Sequence, residues 1–146
     1  MTSFEDRLKE LGLKLPAVAA PVGDYVPAVR TGNLIFTSGQ LPMAAGKLMA
    51  AGKVPVDVPV EQAQACARQA ALNALAAVRS VTGSLDVITR VVRLNVFVNS
   101  GPGFASQAQV ANGASELMEQ VFGPHGRHTR CALGAAELPL NAPVEL

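Results

Sequence analysis

The 146-residue chain carries 12 Lys and Arg against 11 Asp and Glu, a formal net charge of +1, with 49% hydrophobic and only 16% charged residues. That length suits one domain, 1–146, able to bury about 68–70% of its unfolded surface without disulfides or a metal, and the apolar content excludes a disordered chain. Interspersed charge, one Tyr and no Trp argue against a nucleic-acid partner, and no run of roughly 18 apolar residues marks a membrane-spanning helix.

In chain order, Thr2-Ser3-Phe4-Glu5 matches a capping box with Thr2 as the cap and Glu5 reaching back to it. Phe4, Leu8 and Leu11 follow at helical spacing and Gly12 ends the turn, so 1–15 reads as a short helical extension. Its charged, amphipathic start is unlike an apolar signal core, which predicts a cytoplasmic protein. Residues 16–23 form a Pro- and Ala-rich connection. Strands are expected over 25–30 and 34–38, joined by Thr31-Gly32-Asn33. The Gly-, Pro- and Ala-rich stretch 41–59 reads as a loop or a weak hairpin.

The longest helical signal covers 60–81, with an alanine-rich face (Ala63, Ala67, Ala70, Ala71, Ala74) that lets a helix sit close to a sheet, and Gly83 ends it. Residues 91–98 are β-rich with apolar side chains toward both faces, which predicts a central strand. A second helix is expected over 104–122, broken by Gly123-Pro124-His125-Gly126, and last strands over 128–133 and 144–146. The resulting αββαβαββ order gives an α+β fold: a mixed sheet of about five strands with two long helices packed on one face. The opposite face has no helix left to cover it, which predicts an oligomer.

Few residues carry chemistry. His125 and His128 stand three apart with no further donor at ligand spacing, so no metal is expected. Phosphate-binding glycine loops and nucleophile elbows are absent, and no cofactor is called for. Cys66 and Cys131 lie far apart on apolar segments and read as free thiols in a reducing compartment. Arg130 stands out, the only charge in Arg130-Cys131-Ala132-Leu133-Gly134-Ala135-Ala136. Its rigid fork suits two-point capture of a carboxylate or phosphate, and burying it requires an anionic partner. That partner is either a protein carboxylate, with Glu137 and Glu145 the candidates, or a substrate.

Four segments together resemble the Rid family (reactive intermediate deaminases, also called YjgF or L-PSP). They are Gly23-Asp24-Tyr25-Val26-Pro27-Ala28; Gly32-Asn33-Leu34-Ile35-Phe36-Thr37-Ser38-Gly39-Gln40; Ala67-Arg68-Gln69 with Leu72-Asn73; and His128-Thr129-Arg130-Cys131 followed by Leu138-Pro139 and Val144-Glu145. The resemblance implies a chorismate-mutase-like homotrimer whose sheets line a central barrel, with sites in clefts between subunits. It implies hydrolysis of enamine and imine intermediates, such as 2-aminoacrylate, to 2-keto acids and ammonia. Arg130 takes the place of the carboxylate-binding arginine and Glu145 that of the late glutamate, which would handle the attacking water. Tyr25, Gly39, Gln40, Asn112 and Cys131 would line the pocket. A carboxylate binder without deaminase activity, and an endoribonuclease, are the alternatives the resemblance leaves open. The chain departs from the family in having His-Thr before the arginine, Cys131 for a serine, Cys66 for a frequent glutamine, and one residue's offset at Asn112. It also stops at Leu146, where the family's last strand runs on, and reads as a shortened member of a divergent subgroup.

Overall fold

The structure, a computed structural model, describes residues 2–18, 20–21 and 23–146; Met1, Ala19 and Val22, the last two within the 16–23 connection, lie outside the described residues. Helix α1 (Phe4–Glu10) is capped by Ser3, whose Oγ accepts the Asp6 N–H at 3.1 Å, and not by Thr2 as expected. Tertiary partners draw Glu5 away from the local box: its carboxylate accepts the Leu85 N–H at 2.9 Å and pairs with Arg79 at 3.2 Å. The helix closes with bonds from Gly12 N–H to the Lys9 carbonyl and from Leu13 N–H to the Leu8 carbonyl, which need the left-handed φ of +68° that Gly12 supplies.

Strands β1 (Ala28–Thr31) and β2 (Leu34–Thr37) form an antiparallel hairpin turning at Gly32-Asn33. β1 begins three residues later than expected because Pro27 has no N–H to give to a ladder; its carbonyl still accepts from Ser38 N–H at 2.8 Å. The 41–59 region holds a minimal hairpin, β3 (Met43–Ala44) with β4 (Lys47–Leu48).

Helix α2 (Val60–Thr82) ends at Gly83 in the left-handed conformation, and α3 (Gln107–Phe122) begins three residues later than expected, after a turn at Gly101–Phe104. Central strand β5 (Arg93–Asn99) pairs parallel with β6 (Thr129–Ala135) and antiparallel with β7 (Val144–Glu145). The hairpin joins this sheet through reciprocal bonds between Gln40 and Leu146, at 2.7 and 2.9 Å. The two-stranded β1-β2 sheet thus abuts the three-stranded β6-β5-β7 sheet, in which β6 is an edge strand.

Both helices lie on one face, α2 over β1, β2 and β7, and α3 over β5 and β6. Leu94, Val96 and Val98 of β5 point into that layer and are buried. The helices meet through small residues: Ala63, Ala67, Ala70, Ala71 and Ala74 are buried on α2, and Ala111 and Ala114 on α3. At Gly113 the approach is so close that an added Cβ would lie 2.0 Å from the Gln64 carbonyl oxygen. Cys66 sits inside the same layer, where burial pushes its thiol up to about 11.

Two buried asparagines fasten loops to this frame. Asn73 donates to the carbonyls of Leu41 and Met43, and Asn99 donates to the Ala142 carbonyl while accepting from Lys53 Nζ at 2.9 Å. The other sheet face is open. Val29, Leu34 and Phe36 of the hairpin, with Phe97 and Leu133, are 38–55% exposed.

Replacing Gly113 by Ala sets a methyl group against backbone that cannot swing aside. We expect Gly113→Ala to lower unfolding stability by about 2 kcal/mol or more in chemical denaturation, with the helical circular dichroism retained.

Candidate functional site

In a strand, alternate side chains point to opposite faces and paired residues share a face. Arg130 pairs with Leu94, so it points toward the helices, and Asn112 and Ser115 meet it from one face of α3. Its Nη1 donates to Asn112 Oδ1 at 2.8 Å and to Ser115 Oγ at 3.1 Å. No described carboxylate lies within ion-pair distance of this half-buried guanidinium. The protein carboxylates considered as partners are elsewhere: Glu137 is 3.9 Å from Lys53 Nζ, and Glu145 is on β7.

Around Arg130 lies an open cleft of about 450 Å³, lined by Asn112, Ser115, Glu116, Glu119, Arg127 and His128. His128, two residues before Arg130, is on the same side of the strand. Its Nε2 is 2.8 Å from Ser115 Oγ and its Nδ1 is 2.6 Å from the Gly126 carbonyl oxygen.

Glu145 pairs with Phe97, whose side chain is on the open face, so its own carboxylate projects away from α3 with β5 standing between it and Arg130. One protomer thus does not bring Arg130 and Glu145 into one cavity. Glu145 is instead packed on Gly39: a Cβ at position 39 would lie 2.1 Å from Glu145 Oε1. Half-buried there, the carboxyl is raised above its ordinary value of 4.5 by loss of hydration. Gln40 bonds to Leu146 through its backbone and donates its side-chain amide to the Ser38 carbonyl at 3.2 Å.

Cys131 is also on the open face, where Arg93 Nη2 lies 3.1 Å from its Sγ. Tyr25 lines a different cleft, about 470 Å³, with Asp24, Val26, Val29, Phe36 and Ser38. Of the residues expected at one site, the chain therefore joins Arg130 with Asn112 and Glu145 with Gly39, sets Tyr25 in the cleft that Ser38 also lines, and puts Cys131 on the open face. Ser115 was not foreseen. The signal for it was its place three residues after Asn112, one turn along the same helical face.

A protein-family model described as "YjgF/chorismate_mutase-like, putative endoribonuclease" matches residues 5–145. The chain belongs to this family. Protein TCP17 of Trypanosoma cruzi is 47% identical over 140 residues, covering 95% of this chain and 88% of that protein. A "putative endoribonuclease" from Shewanella oneidensis superposes with a TM-score of 0.94 at 36% identity, covering 98% of this chain and 95% of that one. The Escherichia coli protein named "Putative reactive intermediate deaminase TdcF" is 30% identical over 86% of this chain and 84% of its own. A structure of TdcF with bound serine gives a TM-score of 0.57 at 28% identity, covering 90% of each chain. The family members thus include proteins named as deaminases and as endoribonucleases, and the backbone here follows the Shewanella protein far more closely than TdcF.

Because burial raises the Glu145 carboxyl, the folded chain holds a proton that the unfolded chain has released over the pH window just above 4.5. Stability attributable to this group therefore falls as pH rises through that window, and the cost persists at neutrality. We expect Glu145→Gln to raise the Tm at about pH 7, with the gain shrinking toward about pH 4, where both side chains are uncharged; calorimetric scans across that range check it.

Proposed function

We propose that the protein hydrolyses small 2-imino acids and their enamine tautomers, such as 2-aminoacrylate, to 2-keto acids and ammonia, and that it works as a homotrimer. The observation that carries this reading is Arg130. A half-buried guanidinium held along one nitrogen by two neutral acceptors keeps donors for an incoming carboxylate. TdcF, a relative named as a deaminase, has a structure with serine bound, and serine carries such a carboxylate. The Glu116 and Glu119 side chains lining the same cleft oppose a polyanionic RNA backbone.

In the proposed reaction Arg130 clamps the substrate carboxylate by two charge-assisted hydrogen bonds, worth about 1.5–3 kcal/mol each. Water attacks C2 of the imine, giving a carbinolamine. Glu145, whose carboxyl burial makes more basic than an exposed one, takes the proton from that water and returns it to the nitrogen. In the collapse of the carbinolamine its hydroxyl proton passes to the nitrogen, the C2–N bond breaks, and the C2 carbonyl forms as ammonia leaves. Such imines hydrolyse unaided, so positioning and modest electrostatics suffice.

Arg130 and Glu145 occupy opposite sheet faces in one chain, so the reading requires a second copy to complete the site. Two features support this. Arg130 lies on edge strand β6, where another chain can approach. The exposed Val29, Leu34, Phe36, Phe97 and Leu133 form an apolar surface suited to burial between subunits. Tyr25, Asn112, Gly39, Gln40 and Cys131 shape the pocket in this arrangement.

Generating 2-imino acids with an amino-acid oxidase and following keto-acid release tests the chemistry. Arg130→Ala is expected to lower kcat/KM by about a hundredfold or more; equal rates for the two proteins would defeat the assignment, and carboxylate binding without turnover would select a non-catalytic binder. For the assembly, light scattering should give a trimer, and Phe36→Glu should yield monomers that keep their helical circular dichroism and lose activity.

A further inference from the structure

We infer that Ser115 and His128 are positioning residues for Arg130, forming a hydrogen-bonded relay whose direction depends on the protonation of His128. The inference rests on the carboxylate-capture reading of Arg130 and names two residues that reading does not require.

The direction follows from which atoms can donate. The Gly126 carbonyl can only accept, so at 2.6 Å the His128 Nδ1 must carry the proton. In a neutral imidazole Nε2 is then an acceptor, so the Ser115 hydroxyl, 2.8 Å away, donates to it. This turns the Ser115 oxygen lone pairs toward Arg130 Nη1, which donates to Ser115 at 3.1 Å and to Asn112 at 2.8 Å. Tied at Nη1 by two acceptors, Arg130 is held in the cleft that it lines. Ser115 and His128 are both partly buried, so this chain of bonds is shielded in part from water.

A second proton on His128 reverses the relay. Nε2 becomes a donor, the Ser115 oxygen must accept from it, and an imidazolium stands one hydroxyl away from the Arg130 guanidinium. The two lone pairs of the Ser115 oxygen then meet two donors, and Arg130 gains a like-charged neighbour. The other charged groups around His128 are Glu116 and Glu119 on α3, with Glu119 3.7 Å from Arg127, and Arg90, which donates to the Arg127 carbonyl. His125 in the preceding turn stacks edge-on against Phe4, its ring centroid 6.1 Å away. None of these supplies a second acceptor to Ser115 among the described residues.

Two readouts decide the proposal. In 15N NMR of the unliganded protein at neutral pH, His128 should show a protonated Nδ1 and an unprotonated Nε2; the opposite tautomer overturns the relay whatever the activity. With pyruvate as a non-reacting carboxylate probe, Ser115→Ala and His128→Leu should each raise Kd roughly tenfold. His128→Gln, whose amide oxygen can accept the Ser115 hydroxyl, should restore the unmutated Kd. Equal pyruvate affinity in the unmutated protein and Ser115→Ala overturns the relay and leaves the deaminase reading standing. Imine hydrolysis absent while the pyruvate pattern holds removes the deaminase reading and leaves the relay intact.

Discussion

The close contact of α2 and α3 sets the position of nearly everything that follows. Alanines along α2 and the bare backbone of Gly113 on α3 let the two helix axes approach until Gly113 meets the Gln64 carbonyl. A wider spacing would lift α3 off the sheet, since both helices share one layer over β1, β2, β5, β6 and β7. Asn112 and Ser115 flank Gly113 in the chain, so the contact that presses α3 down also sets the two acceptors against Arg130. Packing density and the disposition of a polar site are here the same constraint, which is why an alanine-rich helix matters to chemistry it never touches.

Strand alternation then divides the candidate machinery. Arg130 is drawn to the helix side, where neutral acceptors steady it, while Glu145 is set on the open side against Gly39. A carboxylate and a guanidinium placed on one face of adjacent strands would neutralise each other, and neither would serve a ligand. Separated by β5, the arginine keeps unpaired donors and the glutamate keeps a raised affinity for protons. The separation leaves each group its own chemistry, and the proposed reaction needs a second copy to bring the two together.

Much of the fold was legible because it rests on local signals. Alanine spacing with Gly83 as a stop marked α2 nearly to the residue, and the β-branched run before Asn99 marked the central strand. Boundaries slipped where tertiary partners intervened. Glu5 left its capping box for Leu85 and Arg79, and Pro27 delayed β1 by withholding an N–H. The family resemblance placed Arg130, Asn112, Gly39 and Glu145 in one pocket, and the direct contacts of Arg130 with Asn112 and of Glu145 with Gly39 each join segments that the pattern alone does not pair. His128 carried a visible signal that was weighed only for metal. Its role in holding Ser115 depends on a carbonyl at Gly126 that no residue pattern announces.

The bonds between Gln40 and Leu146 tie an early segment of the chain to its last residue. Their formation closes a loop that spans most of the chain, a step that ordering entropy defers until the intervening helices and strands have condensed. Gly39 and Glu145 are the immediate neighbours of that pair, so the carboxylate acquires its desolvated setting only when the closure is complete. A partly folded chain can hold its helical layer and its arginine in register while lacking a poised acid. The raised carboxyl is in this sense a late product of folding, gated by the meeting of two chain segments that begin far apart.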